Sequence, residues 1–217
     1  MMHDPEFFEM IKDGDTVKVE ALLKHNPQLA NARNEGGISA LLFAVYYGKA
    51  DIADVLLENG AMVDIFEACA VGARDKVTKL LALDPDLLKC YSHDGWTPLH
   101  LAVFFGHIDL VRFLLEAGAE IDALSKNGQD LTPLHSALAN PHHAKVGLLL
   151  IEKGADITLA QSQGYTPLHY AAANGSDDVV IRLLAMNAIR SAKTKDGKTP
   201  LDLARERKHL TTAKILS

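Results

Sequence analysis

Apolar residues recur along this 217-residue chain at the spacing of one helix face, in short segments that end at glycine or asparagine. Ile108, Val111, Leu114 and Leu115 are one such set, and they predict an amphipathic helix that ends at Gly118. A shorter apolar segment precedes it, and a glycine-containing turn separates the two. The pattern therefore predicts pairs of short helices joined by tight turns. Similar helix ends are predicted at Gly60, Gly154, Asn187 and Asn26.

One four-residue motif returns at a nearly constant interval. Thr-Pro-Leu-His begins at Thr97, Thr132 and Thr166, and Thr-Pro-Leu-Asp begins at Thr199, so the steps are 35, 34 and 33 residues. The threonine is a favoured helix N-cap, and proline fits the first helical position, where its missing N–H does no harm. The fourth side chain can reach back toward the cap. The chain is therefore predicted to consist of repeated helix pairs.

The period and the motif, read as T-P-L-H-x-A from Thr97 to Ala102, resemble those of the ankyrin-repeat family. The resemblance covers essentially the whole chain and is strongest from 95 to 204. It implies an all-α ankyrin-repeat solenoid of about seven stacked helix pairs with short finger hairpins, in a single domain spanning 1–217. The approximate repeats are 5–35, 36–64, 65–94, 95–128, 129–163, 164–196 and 197–217, the last acting as a cap.

The third repeat is predicted to be truncated. Gly48 and Gly72 are 24 residues apart, whereas Gly72 and Gly106 are 34 apart. The missing residues fall around Asp64, so we expect the finger hairpin between the second and third repeats to be shortened or absent. The connection that ends at Leu131 is, by contrast, slightly longer than its counterparts.

Composition and charge restrict the class of protein. With 48% hydrophobic and 23% charged residues, the chain has the balance of a folded globular protein. Its first residues resemble no signal peptide, and no apolar run is long enough to cross a bilayer, so we expect a cytoplasmic protein without membrane contact. Cys69 and Cys90 are too few for a disulfide framework and are interpreted as reduced thiols.

The charge is unevenly distributed. The net charge of −6 argues against a nucleic-acid partner, since binding to phosphates depends on clustered Lys and Arg. Residues 182–217 nevertheless carry nine basic and three acidic side chains. This segment is either a solvated cap that keeps the stack soluble or an attractor for an acidic segment of a partner. Its basic side chains include Arg190, Lys193, Lys195, Lys198, Arg205, Arg207 and Lys208.

Catalysis and metal binding find little support in the sequence. His100, His135 and His169 occupy the repeat motif, and the resemblance implies that they hydrogen-bond within and between repeats. His142 and His143 are adjacent, with no third ligand at helical spacing. No phosphate-binding glycine loop or paired-carboxylate motif is present. We therefore expect a protein that is not an enzyme and that needs no cofactor or metal ion.

The resemblance also implies where a partner binds. In ankyrin-like proteins the residue before the Thr-Pro and the two residues before the inter-helix glycine face the concave groove and the fingers. Large aromatic side chains are concentrated at these positions in repeats two to four, and such side chains are enriched as interface anchors. The predicted protein-binding residues are Ile38, Tyr46, Tyr47, Trp96, Phe104, Phe105, Leu131, Asn140, Tyr165, Asn174, Lys198 and Arg207.

Two functions remain open from the sequence. The first is a non-enzymatic, monomeric scaffold that binds one protein partner in its concave groove, with the aromatic residues as anchors. The second is a regulatory or inhibitory subunit of an enzyme, or an effector that acts on a host signalling protein. Any one of the aromatic rings could instead fill space between neighbouring helices.

Overall fold

The computed structural model describes residues 4–217, and the chain divides into two compact units. Unit 1 comprises the residues up to Leu87 together with Tyr91–Asp94, and unit 2 comprises Leu88–Cys90 and Gly95–Ser217. The described residues form α-helices, short 3₁₀ turns and loops. The β-structure described among them is one isolated bridge between Arg33 and Ser39.

Unit 1 contains consecutive helix pairs with the bounds α1 Pro5–Asp13, α2 Thr16–His25, α3 Ala40–Tyr46, α4 Ala50–Glu58, α5 Ile65–Ala70 and α6 Arg74–Leu83. The first helices of the pairs pack on each other, α1 with α3 and α3 with α5, and α2 packs on α4. Phe7, Ile11, Leu23, Leu41 and Leu56 lie in the core, each at most 1% exposed. The apolar stripes predicted from helical spacing are therefore the faces that unit 1 buries.

Unit 2 repeats the arrangement with α7 Pro98–Phe104, α8 Ile108–Glu116, α9 Pro133–Leu138, α10 Ala144–Glu152, α11 Pro167–Ala173, α12 Asp177–Ala185, α13 Pro200–Glu206 and α14 Leu210–Leu216. The two helices of each pair pack together, the first helices α7, α9, α11 and α13 pack in succession, and so do the second helices α8, α10, α12 and α14. Leu99, Leu114, Leu134, Leu150 and Leu168 are buried between these helices. Phe104 at the end of α7, Ala139 after α9 and Glu206 at the end of α13 are exposed, and this exposed side is here called the first-helix face of unit 2.

The lengths of the connections match the irregular spacing in the sequence. Six residues, 59–64, join α4 to α5, whereas fourteen join α2 to α3. Sixteen residues, 117–132, join α8 to α9, two more than join α10 to α11. The predicted all-α repeat architecture is confirmed, and the third repeat has the expected shortened connection. The repeat count and the repeat boundaries stay predictions.

The Thr-Pro-Leu-His motif forms the predicted helix cap. At the start of α7, the Thr97 hydroxyl oxygen accepts the His100 N–H at 3.3 Å, and the Thr97 N–H donates to His100 Nδ1 at 3.4 Å. Thr97 Oγ1 also lies 2.8 Å from Nδ1. The same reciprocal box closes the start of α9 with Thr132 and His135. Each box satisfies donors that a helix start leaves without an intrahelical partner.

The other ring nitrogen of each motif histidine reaches the following repeat. His100 Nε2 lies 2.9 Å from the Leu131 carbonyl oxygen. His135 Nε2 lies 3.1 Å from the Tyr165 carbonyl oxygen, and His169 Nε2 lies 3.2 Å from that of Lys198. A carbonyl oxygen only accepts, so Nε2 carries the proton and Nδ1 is the acceptor at the cap. A neutral histidine in one defined tautomer therefore joins successive first helices of unit 2.

Burial keeps these rings neutral. It lowers the pKa of His100 and of His135 to about 4, against an ordinary value of 6.5, and it also lowers that of His169. Because the folded pKa lies below the unfolded one, the stabilisation is complete above about pH 6.5 and is lost as pH falls toward 4.

We expect the free energy of unfolding of unit 2 to fall between about pH 7 and about pH 5, by at most about 1.4 kcal/mol per pH unit for each buried histidine. Hydrogen exchange of α7, α9 and α11, corrected for intrinsic rates, measures this loss. A His135→Gln variant keeps a polar side chain without the titrating ring, and it should show a smaller pH dependence. An equal pH dependence in the variant and the wild type would contradict this account.

In unit 1 a carboxyl group occupies the position that histidine holds in unit 2. Glu67, 2% exposed at the start of α5, accepts the Ser39 hydroxyl at 2.7 Å and the Asp64 N–H at 3.1 Å. Asp64 in turn caps α5 by accepting from the N–H groups of Phe66 and Glu67. The link between first helices is kept, but it now runs from the Ser39 hydroxyl at the start of α3 to Glu67.

Burial raises the pKa of Glu67 from its usual 4.5 to about 7, and the neighbouring Asp64 carboxyl raises it further while the Ser39 hydroxyl opposes the shift. A raised carboxyl pKa changes stability with pH in the opposite direction to the lowered histidine pKa. The stabilisation from Glu67 is present below about pH 4.5 and is lost as pH rises through 7.

A Glu67→Gln variant should therefore protect α5 from hydrogen exchange more than the wild type does above about pH 7, by on the order of 1–2 kcal/mol. Near pH 5 the difference should largely disappear, because the wild-type carboxyl is then protonated. Ser39→Ala serves as the companion variant, since it removes the hydroxyl that favours the ionised carboxylate. A Gln variant that is less protected at every pH would show that Glu67 is held as a stabilising anion.

Candidate functional site

Three of the predicted aromatic residues form one group on α7 of unit 2, here called the aromatic cluster: Trp96, Phe104 and Phe105. The rings of Trp96 and Phe104 are stacked with centroids 6.5 Å apart, and Phe105 meets Phe104 edge-on at 5.1 Å. Phe104 is 39% exposed, and the other two are partly exposed. The cluster is therefore an accessible aromatic surface that spans the length of α7.

The cap motif explains why these rings lie at the edge. Thr97 is extended, with φ −80° and ψ 163°, so the chain enters α7 from the side and Trp96 lies beside the first turn. Trp96 also contacts the ring of His100, with centroids 5.3 Å apart. Phe104 ends α7 and Phe105 caps it. The ring of the buried His100 thus packs against Trp96, and part of the Trp96 ring stays accessible.

A second group lies around α11 and is here called the tyrosine pocket. It is a cavity of about 170 Å³. Tyr165 lies 5.9 Å from Tyr170 and 5.8 Å from His169 between ring centroids. Burial raises the pKa of Tyr170, and the neighbouring Gln161 side chain opposes the shift. The pocket is lined by Ala139, Gln161, Tyr165, Tyr170, Ala173, Asn174 and Arg207.

Polar residues predicted from the sequence have structural partners around this pocket. The Asn174 side-chain amide donates to the Leu138 carbonyl at 2.7 Å. The Asn140 side chain caps a 3₁₀ turn by accepting from His142 N–H at 3.0 Å. Lys198 pairs with Glu206 at 2.8 Å, and both are about half exposed. These contacts fix the walls of the first-helix face, and they leave Arg207 exposed at the end of α13.

Leu131 is positioned differently from the other predicted residues. It is only 9% exposed, its N–H donates to Ser125 Oγ at 3.0 Å, and its carbonyl oxygen accepts from His100 Nε2. A residue so enclosed contributes packing between repeats. We therefore leave Leu131 out of the proposed binding surface.

The predicted residues of unit 1 form a separate set. Tyr47 is 46% exposed and its ring lies 4.7 Å from that of Phe43. The Tyr46 hydroxyl donates to Asp94 Oδ2 at 2.6 Å, and burial, followed by that contact, raises the pKa of Tyr46. Ile38 is partly exposed in the loop before α3. Tyr46 therefore has a structural role within unit 1, and Tyr47 is the more accessible ring.

Sequence reasoning missed Tyr170 and Gln161, which line the tyrosine pocket. A signal for Tyr170 was available, because it follows the motif histidine at the place occupied by Leu101, Ser136 and Leu203 in the other copies. A large phenol at that place is the exception. Gln161 lies in the loop before α11, where the motif sets no preference, so the sequence holds no comparable signal for it.

Within residues 4–217 no cluster of three or more His, Cys, Asp or Glu side chains could hold a metal ion. None of the helices described there has the length and apolar content needed to cross a membrane.

The chain is similar in sequence to a known protein family and to several known proteins. A family model described as "Ankyrin repeats (3 copies)" matches residues 65–161 and 154–217. The E3 ubiquitin-protein ligase XBAT33 of Arabidopsis thaliana is 32% identical over 204 residues, covering 88% of this chain and 38% of that protein. The tyrosine-protein kinase HTK16 of Hydra vulgaris is 41% identical over 152 residues, covering 68% and 20%.

A third relative is the target of rapamycin complex 2 subunit AVO2 of Saccharomyces cerevisiae, 29% identical over 201 residues. That alignment covers 90% of this chain and 41% of the relative. The chain thus spans about two fifths or less of the length of these three curated relatives.

The exposure of the aromatic cluster leads to a prediction about stability. Phe104→Ala should lower the free energy of unfolding by about 1 kcal/mol or less, because much of the ring is already in water. Leu99→Ala in the same helix removes a fully buried side chain and should cost about 2–5 kcal/mol. Chemical denaturation followed by circular dichroism compares the two. Equal losses would mean that Phe104 belongs to the core.

Proposed function

Because this chain belongs to the ankyrin-repeat family, we propose that it is a non-enzymatic interaction scaffold that binds a polypeptide partner on the first-helix face of unit 2. Ankyrin repeats imply protein–protein interaction, and this proposal assigns the contact to a specific surface. The observation that carries it is the exposed aromatic cluster. Trp96, Phe104 and Phe105 act as its anchors.

The physical argument depends on the apolar surface that these rings expose to water. Three neighbouring aromatic side chains left partly accessible on one short helix form an apolar patch of the kind that marks an interaction site. Trp and Phe bury a large area and have few rotatable bonds, so they lose little conformational entropy on binding. A partner that covers the patch therefore gains more from these rings than from the flexible charged side chains around them.

The histidines support a binding role over a catalytic one. In His100 and His135 both ring nitrogens have hydrogen-bond partners, and the pKa of each ring, about 4, lies far from neutrality. A general base needs a nitrogen that is free to take a proton at the working pH. These rings instead hold successive repeats together.

A second candidate function is the interaction part of an enzyme or of an enzyme complex. The matched relatives include proteins named as a ubiquitin ligase, a tyrosine kinase and a subunit of target of rapamycin complex 2. Each is more than twice as long as its aligned region. On this hypothesis the repeats present or inhibit a catalytic partner, and titrating this chain into that partner changes its activity.

Position-specific photocrosslinking tests the proposed surface. A photoreactive residue at position 104 should crosslink to a polypeptide in an extract of the producing cell, whereas the same residue at position 181 should not. Ile181 is the matched control, since it is 53% exposed and lies on α12. Trp96→Ala, made in the position-104 protein, should reduce the yield about tenfold if Trp96 is an anchor.

Circular dichroism confirms that each variant keeps its helical content. Equal crosslinking from positions 104 and 181, with folded protein in both cases, would contradict the proposal.

A further inference from the structure

The tyrosine pocket differs chemically from the aromatic cluster on the same unit. Its volume of about 170 Å³ is below the roughly 300–1,000 Å³ of pockets that hold small-molecule ligands. It is large enough for one side chain. Because Ala139 and Ala173 form part of its lining, a neighbouring main chain can approach closely without meeting bulky groups.

The polar groups of this pocket are mainly hydrogen-bond donors. The guanidinium of Arg207 donates and cannot accept. The Gln161 amide oxygen accepts from the Gln163 N–H, so its nitrogen remains as a donor in the lining. The Tyr170 hydroxyl can also donate one hydrogen bond. The Tyr165 hydroxyl supplies a further donor, which favours a ligand that accepts several hydrogen bonds.

The charge around the pocket has the matching sign. Arg207 has no ion-pair partner within residues 4–217, while the nearest acid in the chain, Glu206, is already paired with Lys198 at 2.8 Å. Residues 182–217, which include α13 and α14, carry nine basic and three acidic side chains. This positive charge attracts an anion that is still about one Debye length away, before the two are in contact.

The pocket and the aromatic cluster are separated by one first helix of unit 2. The aromatic cluster belongs to α7, and the pocket is formed around α11 with Arg207 at the end of α13, while α9 lies between α7 and α11. Ala139, which caps α9, is small and exposed. An extended segment can therefore cross α9 close to its surface and reach both groups.

We propose that the tyrosine pocket receives an Asp or Glu side chain of the bound polypeptide, whose apolar side chain packs on the aromatic cluster. The inference rests on the proposed function and adds the chemistry of the partner. Arg207 pairs with the carboxylate, and Tyr165 and Tyr170 donate hydrogen bonds to it. The partner is thus an acidic segment that carries at least one large apolar residue.

Selection from a library of displayed random peptides tests the inference on the full chain. Enriched peptides should combine an acidic residue with an aromatic or large aliphatic one. For a synthetic peptide from this set, with its C-terminus amidated, replacing the acidic residue by its amide should weaken binding about tenfold or more in fluorescence polarisation. Amidation separates a side-chain carboxylate from a terminal one.

Charge reversal identifies the residue that meets the acid. Arg207→Glu should weaken binding of the selected peptide about tenfold or more. A peptide with Lys in place of its acidic residue should bind this variant better than it binds the wild type. Arg182→Glu on α12 is the matched control, because it changes the net charge equally away from the pocket. It should have a much smaller effect. Tyr165→Phe removes only the hydroxyl and should weaken binding while the ring is kept.

The outcomes separate this inference from the proposed function. Enriched peptides that bind through Trp96 and Phe104, but show no acidic preference and the same affinity for Arg207→Glu, would overturn the inference and leave the scaffold function in place. Equal losses from Arg182→Glu and Arg207→Glu would also overturn it, by reducing the effect to general charge. If no peptide is enriched on a folded chain, both proposals fail.

Discussion

A buried, neutral imidazole that hydrogen-bonds at both ends is the constraint on which unit 2 depends. In His100 and His135, one nitrogen closes the cap of its own helix and the other donates to a carbonyl about thirty residues further along the chain. The cap lies within one repeat and the carbonyl belongs to the connection that leads into the next. Losing the ring would therefore expose donors at a helix start and leave a buried carbonyl unpaired at the same time. Packing of the apolar faces adds to this link, but it does not set the relative position of the helices so specifically.

In unit 1 successive first helices are also linked by a side-chain hydrogen bond, but between different chemical groups. Ser39 takes the place of threonine, Leu42 stands where histidine would, and the link to the next first helix is a hydroxyl that donates to Glu67. As in unit 2, the donor belongs to the earlier repeat and the acceptor to the later one, but the acceptor is now a side-chain carboxyl group instead of a backbone carbonyl. The shortened connection between α4 and α5 brings Asp64 to the cap position, where it both closes α5 and shifts the titration of Glu67. The two units therefore respond to pH in opposite directions through groups at equivalent positions.

Local rules predicted much of this structure, and failures occurred where a neighbour or a distant residue decided the outcome. Asn26 follows the last residue of α2, as predicted, but its backbone has φ −141° and not the left-handed φ of 62° found at Asn187, because Pro27 follows it and restricts the preceding residue. The caps could be predicted because all their atoms lie within four residues. The enclosure of Leu131 and the bond from Tyr46 to Asp94 depend on residues far away in sequence. The motif position of Tyr170 did carry a signal, but its place in the tyrosine pocket depends on Tyr165, Gln161 and Arg207 together.

The chain contains a single tryptophan, and that residue belongs to the aromatic cluster. Indole emission of the unlabelled protein consequently originates at one position, next to the rings of Phe104 and His100. Any ligand that covers this ring displaces water from it and alters the wavelength of its emission, whereas events elsewhere in the chain affect it only through the fold. The protein thus carries its own optical reporter at the face where we place recognition.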